Sequence, residues 1–197
     1  EILIGLVGSE MCIRDSIILS PVFLVLAIMI KRDSEGEVFF RQTRVTQYGR
    51  TFGIYKFRTM VKNAESLGAQ VTSQNDMRVT KVGNMLRSCR LDELPQLINI
   101  LLGDMSFVGT RPEVPRYVEA YTNEMKATLL LPAGVTSVAS IAYKDEDQLL
   151  QNAKNVDDVY INEVLPGKMA WNLKSIKEFS FLQDIKTMVD TVLAVLR

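Results

Sequence analysis

Histidine is absent from the 197-residue chain, and cysteine occurs only twice, as Cys12 and Cys89. The first absence excludes imidazole acid–base chemistry, Ser–His and Cys–His nucleophile pairs, and nearly all zinc and iron sites. The second excludes a four-thiolate site, a CxxC redox pair and a disulfide framework. What remains is carboxylates, Lys and Arg, hydroxyls, one thiol near mid-chain, and a bound hard cation. With 47% hydrophobic and 23% charged residues, the chain can bury a core. The formal net charge is zero, but it is unevenly spread. Residues 31–90 carry twelve Lys/Arg against five Asp/Glu, and residues 91–197 carry ten against fifteen. A basic segment in a neutral chain suits an anionic surface or a phosphorylated ligand better than nucleic acid.

The basic segment begins where an apolar run ends. Ile17 to Ile30 (IILSPVFLVLAIMI) is followed directly by Lys31 and Arg32. Fourteen residues make about 21 Å of helix, short of a hydrocarbon core of about 30 Å, and Pro21 interrupts the run. A buried soluble helix and a truncated spanning helix are two readings. A kinked helix that enters and leaves the same leaflet is preferred, because the basic pair then sits among anionic headgroups. Upstream, GLVGSEMCIRDS lacks the order of a signal peptide and resembles translated sequencing-library sequence. Residues 1–16 are therefore expected to be a non-native leader.

Val38–Val45 and Thr51–Met60 read as a hairpin joined by Gln47-Tyr48-Gly49-Arg50. Lys56 and Arg58 alternate with Tyr55 and Phe57, which predicts one basic strand face. Val61–Leu67 is expected to be a short helix, and Gly68–Met77 a polar loop. Thr80 suits the cap of a helix reaching Ser88 or Cys89. A helix is expected from Asp92 to Leu102, burying Leu94, Leu97, Ile98 and Leu101 and stopping at Gly103. Gly109-Thr110-Arg111-Pro112 reads as a turn and Pro115–Leu130 as a helix. Pro132-Ala133-Gly134 opens a loop or strand, and the last third reads as helices. Phe181, Ile185, Met188, Val189, Val192 and Leu196 form one stripe, read as core or a docking face in preference to membrane contact.

Chemistry concentrates in Arg87-Ser-Cys-Arg-Leu-Asp-Glu-Leu-Pro-Gln96. Adjacent carboxylates at a helix start cap exposed N–H groups and suit the dipole, which is the plain reading of Asp92 and Glu93. They could also share a hard cation such as Mg²⁺, or divide labour, one binding metal while the other attacks phosphorus. Nearby Arg87 and Arg90 would keep them ionised. In Gly103–Glu113, flanking glycines permit close backbone approach, and Arg111 before Pro112 is conformationally restricted.

These segments carry a family likeness. LSP within an apolar run, VFFRQTRV, YKFRTM, Asp-x-Arg-x-Thr before VGNMLR, LDELPQLINILLGDMSFVGTRPE and PAGVTS occur in that order. Together they resemble the bacterial sugar transferases, specifically the small monotopic phosphoglycosyl transferases. The resemblance implies transfer of a sugar 1-phosphate from a UDP-sugar to polyprenyl phosphate, usually undecaprenyl phosphate. By analogy Asp92 is the nucleophile and Glu93 helps it bind Mg²⁺. Lys56, Arg58, Arg78, Arg87, Arg111 and Pro112 become candidates for substrate contact, and Ser20-Pro21 the break in the membrane helix. The implied partners are the UDP-sugar, polyprenyl phosphate, membrane lipids and downstream glycosyltransferases. The implied location is the bacterial inner membrane, with catalysis on its cytoplasmic face.

The expected fold is α/β (α+β), helix-dominated with a small β-hairpin or sheet, a single re-entrant membrane helix and interfacial amphipathic helices. Residues 17–32 would form the membrane helix, and 33–197 a cytoplasmic catalytic domain with a helical C-terminal part. Three departures from the family pattern stand out. Thr110 replaces the first proline of Pro-Arg-Pro, Met77 stands where proline is frequent, and the basic N-terminal entrance is missing. Two alternatives use the same residues: a metal-dependent diphosphate hydrolase, and a membrane-surface anion-binding module in which Asp92 and Glu93 only cap a helix.

Overall fold

The structure is a computed structural model and describes residues 19–64, 76–146 and 155–196. The expected leader, residues 65–67 of the expected short helix and residues 68–75 of the expected polar loop lie outside the described residues. The chain divides into two compact units. The first takes residues 1–42, 53–64 and 77–105, the second residues 43–52, 65–76 and 106–197. The expected hairpin is present as β1 (Phe39–Val45) and β2 (Thr51–Phe57). Tyr48 (φ 58°) and Gly49 (φ 74°) adopt left-handed backbone conformations in its turn. Its stem belongs to the first unit and its tip to the second.

In the first unit, helix α1 covers 19–33 and includes Ser20 and Pro21 near its described start. Leu26 and Ile30 are buried on it and cluster with Phe57 and Leu86. Phe57 lies between Phe23 and Phe39, with ring centroids 5.2 and 5.5 Å away. The outer face of α1 is equally apolar: Leu24 is 64% exposed and Val25 56%. No described helix is long and apolar enough to cross a membrane.

Arg58 secures the C-terminal end of α1. Its Nη2 donates to the carbonyls of Ser34 (2.8 Å) and Ile30 (3.4 Å), and its Nη1 to that of Glu35. A guanidinium there satisfies carbonyls the helix leaves open and opposes its dipole. The expected basic strand face is therefore not formed: Lys56 and Arg58 have different destinations, and Arg58 is buried as a helix clamp. Gly36, at φ +127°, leaves room for that guanidinium, which fills the space a Cβ would need.

Helix α2 (Lys81–Ser88) begins as expected, with the Thr80 hydroxyl accepting from Gly83 N–H at 3.0 Å. Asp33, at the end of α1, accepts from Val82 N–H at 2.9 Å. Hydrogen bonds from Thr80 and Val82 hold its carboxyl below the usual carboxylate range.

Helix α3 is shorter than expected, Gln96–Leu101. It does end before Gly103 (φ 76°). Its fully buried residues are Gln96 and Asn99, whereas Leu94, Leu97, Ile98 and Leu101 are half-buried. The reason is the open edge of β2. Asn99 Nδ2 donates to Gly53 O (3.0 Å), and its Oδ1 accepts from Tyr55 N–H (2.9 Å), so one amide replaces a neighbouring strand.

In the second unit, β3 (Met105–Val108) pairs with β4 (Ala133–Thr136). The expected helix Pro115–Leu130 is two pieces, α4 (Pro115–Glu119) and a 3-10 segment, Met125–Leu130. Thr122 starts the second piece by accepting from Met125 N–H at 3.3 Å. A short α5 (Val138–Ala142) follows.

Helix α6 (Val156–Val159) passes through a π turn, Tyr160–Val164, into α7 (Leu165–Lys177). Pro166 cannot donate an N–H back along the helix, and Leu165 N–H reaches Tyr160 O, five residues earlier. Val114, Tyr117, Tyr121, Tyr160, Val164, Leu165 and Met169 form the core of this unit.

Helix α8 (Phe181–Leu196) carries the stripe expected to be core or a docking face, and narrows that reading. Its apolar stripe is not core: Phe181 is 73% exposed, Val192 59% and Val189 53%. The inward face is polar. Thr187 is buried and donates to Gln183 O (2.9 Å), and Thr191 donates to Thr187 O (2.7 Å). Thr136 and Thr191 share a hydroxyl–hydroxyl hydrogen bond of 2.6 Å. Burial on that side raises the Asp184 carboxyl above its ordinary range.

Arg58→Met strips charged donors from three carbonyls and is expected to cost about 3 kcal/mol in urea unfolding of the detergent-purified protein. Arg58→Lys should recover little, since one ammonium cannot span three acceptors. A loss under about 0.5 kcal/mol for Arg58→Met would contradict the clamp.

Candidate active site

The Asp92–Glu93 pair stands in a turn whose shape follows from two neighbours. After α2 ends at Ser88, Arg90 takes a left-handed conformation (φ 55°) and reverses the chain. Leu91–Glu93 form one 3-10 turn. Pro95, lacking an N–H, then occupies the cap position of α3, where none is needed. The cap positions of these two segments are Arg90 and Pro95, and neither caps with its side chain. The acidic pair therefore lies inside the turn, which weakens the plain capping explanation. Asp92 is buried, and Glu93 half-buried.

Lys56, at the end of β2, reaches this turn: its Nζ lies 3.0 Å from Glu93 Oε1. Arg87, in the last turn of α2, donates from Nε to Thr59 Oγ1 at 2.9 Å. Thr59 also packs its backbone against Gly83, where a Cβ could not fit. The first unit thus brings Lys56 to Glu93, and ties Arg87 to Thr59, two residues beyond the strand that carries Lys56. Arg78 donates from Nη1 to Ala64 O (3.0 Å), beside the Met60–Val79 bridge. Cys89 is exposed at the end of α2.

Arg111 and Pro112 belong to the second unit, on the stretch between β3 and α4. Gly109 and Gly134 do permit close backbone approach, but to each other. Gly109 N–H donates to Thr136 O (3.0 Å) and Gly134 N–H to Thr110 O (2.9 Å). The Pro112 carbonyl accepts from Arg44 Nη1 at 3.1 Å, and the Glu113 carbonyl from Val45 N–H at 2.9 Å.

Glu113 itself is buried. Its Oε1 accepts from Tyr160 Oη (2.6 Å) and lies 3.5 Å from Lys168 Nζ, and its Oε2 is 3.8 Å from Arg44. Lys168 also donates to Tyr160 Oη and to Glu146 Oε2, each at 3.0 Å. Burial alone would raise the Glu113 carboxyl. Lys168, Arg44 and the Tyr160 hydrogen bond outweigh it and hold the group below its ordinary value. Its stabilising contribution is therefore complete above the ordinary carboxylate range and lost as pH falls through the lowered value. Burial, and next the Glu113 charge, raise the Tyr160 phenol, which stays protonated.

Among the described residues, no group of three or more His, Cys, Asp or Glu is placed to hold a metal ion. Mg²⁺ commonly takes one or two carboxylates and completes its shell with water and substrate phosphate.

The chain matches the family model described as "Bacterial sugar transferase" over residues 6–197. It belongs to that family. It is 37% identical over 180 residues to the UDP-N-acetylgalactosamine-undecaprenyl-phosphate N-acetylgalactosaminephosphotransferase of Aeromonas hydrophila, covering 90% of this chain and 40% of the relative. It is 38% identical over 181 residues to the UDP-glucose:undecaprenyl-phosphate glucose-1-phosphate transferase of Escherichia coli K12, covering 89% and 36%. A putative undecaprenyl-phosphate N-acetylgalactosaminyl 1-phosphate transferase of Bacillus subtilis is 43% identical over 105 residues, covering 53% and 59%. The chain thus spans about two fifths of the first two sugar transferases.

Sequence reasoning missed Asn99 and the Glu113–Tyr160–Lys168 cluster. A lone amide inside LINILL was a readable signal for Asn99, since a polar residue in an apolar stripe needs a buried partner. Nothing local marked Lys168, which is 55 residues from Glu113.

The Lys56–Glu93 pair is expected to show a coupling of about 1 kcal/mol in a double-mutant cycle of Lys56→Met and Glu93→Gln, read by urea unfolding. The figure is modest because Lys56 is 20% exposed. Additivity within about 0.3 kcal/mol would mean that the two side chains do not interact.

Proposed function

We propose that this sugar transferase moves a sugar 1-phosphate from a UDP-sugar to polyprenyl phosphate, through a covalent intermediate on Asp92. The observation that carries the reading is the placement of Asp92 and Glu93. They sit inside a fixed turn with Lys56 against Glu93, in a chain without histidine. A carboxylate nucleophile is ionised at neutral pH and needs no base.

An Asp92 oxygen attacks the β-phosphorus. The bond to the oxygen bridging α- and β-phosphorus breaks, and its electron pair leaves on UMP. A phosphate oxygen of the acceptor then attacks the same phosphorus, breaks the acyl-phosphate bond and restores the carboxylate. The products are UMP and the polyprenyl diphosphate sugar.

Glu93, with Asp92, would hold Mg²⁺, which offsets diphosphate charge. Lys56 pairs with Glu93 and orients it. Arg87, Arg78 and Arg111 remain candidates for phosphate contact. Arg58 leaves that set because it is buried and its Nη groups are held by the carbonyls at the end of α1. Pro112 acts through the backbone of Arg111.

The membrane part of the proposal rests on the outer faces of two helices. Leu24, Val25 and Ile28 of α1 are exposed, with Lys31 and Arg32 exposed at its end. Such a helix is suited to lie within one leaflet, with Ser20-Pro21 as the bend. The exposed stripe of α8 suits a lipid interface as well. A cytoplasmic face of the bacterial inner membrane fits the basic pair.

Labelled UMP mixed with UDP-glucose or UDP-N-acetylgalactosamine and Mg²⁺, without lipid acceptor, distinguishes the mechanisms. Incorporation of label into the UDP-sugar, reduced at least about 10³-fold in Asp92→Asn, is the expected result. Release of sugar phosphate without exchange would indicate a hydrolase. Exchange that survives Asp92→Asn would leave the pair a structural role only.

A further inference from the structure

Gln96, the first residue of α3, is 1% exposed, and its Nε2 has no hydrogen-bond acceptor among the described residues. Buried amide nitrogens are nearly always satisfied, and one that is not disfavours the fold that holds it. We propose that Gln96 is a positioning residue for Asp92. Its Nε2 donates to one carboxyl oxygen when the UDP-sugar is bound, so that the other oxygen faces phosphorus. The inference rests on the proposed role of Asp92 as the nucleophile.

Two observations, both within the first unit, direct that amide to Asp92. The first is that the two residues share one right-handed helical run. The 3-10 turn Leu91–Glu93 continues through Leu94 (φ −52°, ψ −37°) and Pro95 (φ −63°, ψ −12°) into α3. Leu97 N–H donates to Leu94 O and Ile98 N–H to Pro95 O, which carries the ladder across the junction. Residues four apart on such a run are neighbours, and a long side chain leans back over the turn before it. For Gln96 that turn is the one carrying Asp92.

The second is that Asp92, Gln96 and Asn99 are all buried and so mark one inward face of the run. Contacts on either side of Gln96 fix what that face meets. Asn99 bonds Gly53 and Tyr55 on the open edge of β2. Glu93 pairs with Lys56, the next residue of the same strand. Gln96 lies between these two anchored residues. An amide on the buried face, leaning toward the turn, is directed at Asp92 and not at Glu93, which is half-buried and engaged by Lys56.

The chemistry asks for a neutral donor at this place. Asp92 must present one oxygen to phosphorus with its basicity intact. A cation on the other oxygen would lower that basicity, whereas an amide orients the group without adding charge. Hydrogen bonds of this kind are often unformed before substrate arrives and close in the complex. Folding alone would favour methionine at position 96, which fills a similar volume and carries no polar hydrogen.

That contrast supplies the test. UMP exchange by the full chain in detergent, with UDP-glucose or UDP-N-acetylgalactosamine and Mg²⁺, is compared between the parent and Gln96→Met. The thermal midpoint of Gln96→Met should be level or raised. Its kcat for exchange should fall about 10–100-fold, while KM for the UDP-sugar changes less than about 3-fold. Gln96→Glu keeps the shape and removes the donor, so it should show the same split, and it decides the matter if Gln96→Met does not fold.

Exchange within about 2-fold of the parent, by either folded variant, would overturn the proposal. A loss of kcat matched by an equal rise in KM and a lowered thermal midpoint would make Gln96 purely structural and overturn it too. Failure of both variants to fold would do the same. If the parent shows no exchange, or Asp92→Asn retains it, the reading of Asp92 as the nucleophile fails, and this inference falls with it.

Discussion

The guanidinium of Arg58 is the constraint on which the first unit depends. It occupies the C-terminal end of α1 from the residue that follows β2, and so ties the apolar helix to the strand carrying Lys56. Asp33 adds a second tie from α1 to the start of α2, and α2 leads into the Asp92–Glu93 turn. A helix whose outer face is suited to lipid is thereby joined, through two charged side chains and short connections, to the carboxylates proposed to do the chemistry. Phe57 reinforces the join, because its ring fills the space between α1 and β1. The arrangement costs something: Arg58 Nε is buried without an acceptor among the described residues.

The second unit uses its polar groups differently. Buried hydroxyls on α8 and the ionic cluster around Glu113 replace part of what an apolar core would do. Such groups are costly unless each is satisfied, and the hydrogen bonds around Thr136, Thr187 and Thr191 satisfy one another. Turning those threonines inward leaves the apolar side of α8 outward. On a fully solvated protein that orientation would be unfavourable, whereas at a lipid interface it is the favourable one.

Local pattern made some of this legible. The hairpin, the Thr80 cap, the stop at Gly103 and the helical last third follow from residues close in sequence, where turn chemistry and capping act. The Asp92–Glu93 turn was legible as a candidate site, since adjacent carboxylates before Leu-Pro in a histidine-free chain are few. What sequence did not disclose was direction. Period alone finds a stripe but not what lies opposite it, so the α8 stripe stayed open between core and docking face, and α3 was expected to bury leucines in place of Gln96 and Asn99. Nor does alternation on a strand say where long side chains end: Lys56 goes to a carboxylate and Arg58 to a helix end. Glu113 was given no role, because its partners Arg44, Tyr160 and Lys168 are distant in the chain.

The central claim is that Asp92 becomes covalently loaded. Its most direct test is the intact mass of the detergent-purified protein after mixing with UDP-glucose or UDP-N-acetylgalactosamine and Mg²⁺ without lipid, followed by peptide mapping. A sugar-phosphate adduct confined to the peptide containing Asp92, and lost on adding polyprenyl phosphate, is the expected result. Product formed at full rate with no adduct at any time, or an adduct mapping to Cys89 or another residue, would contradict it.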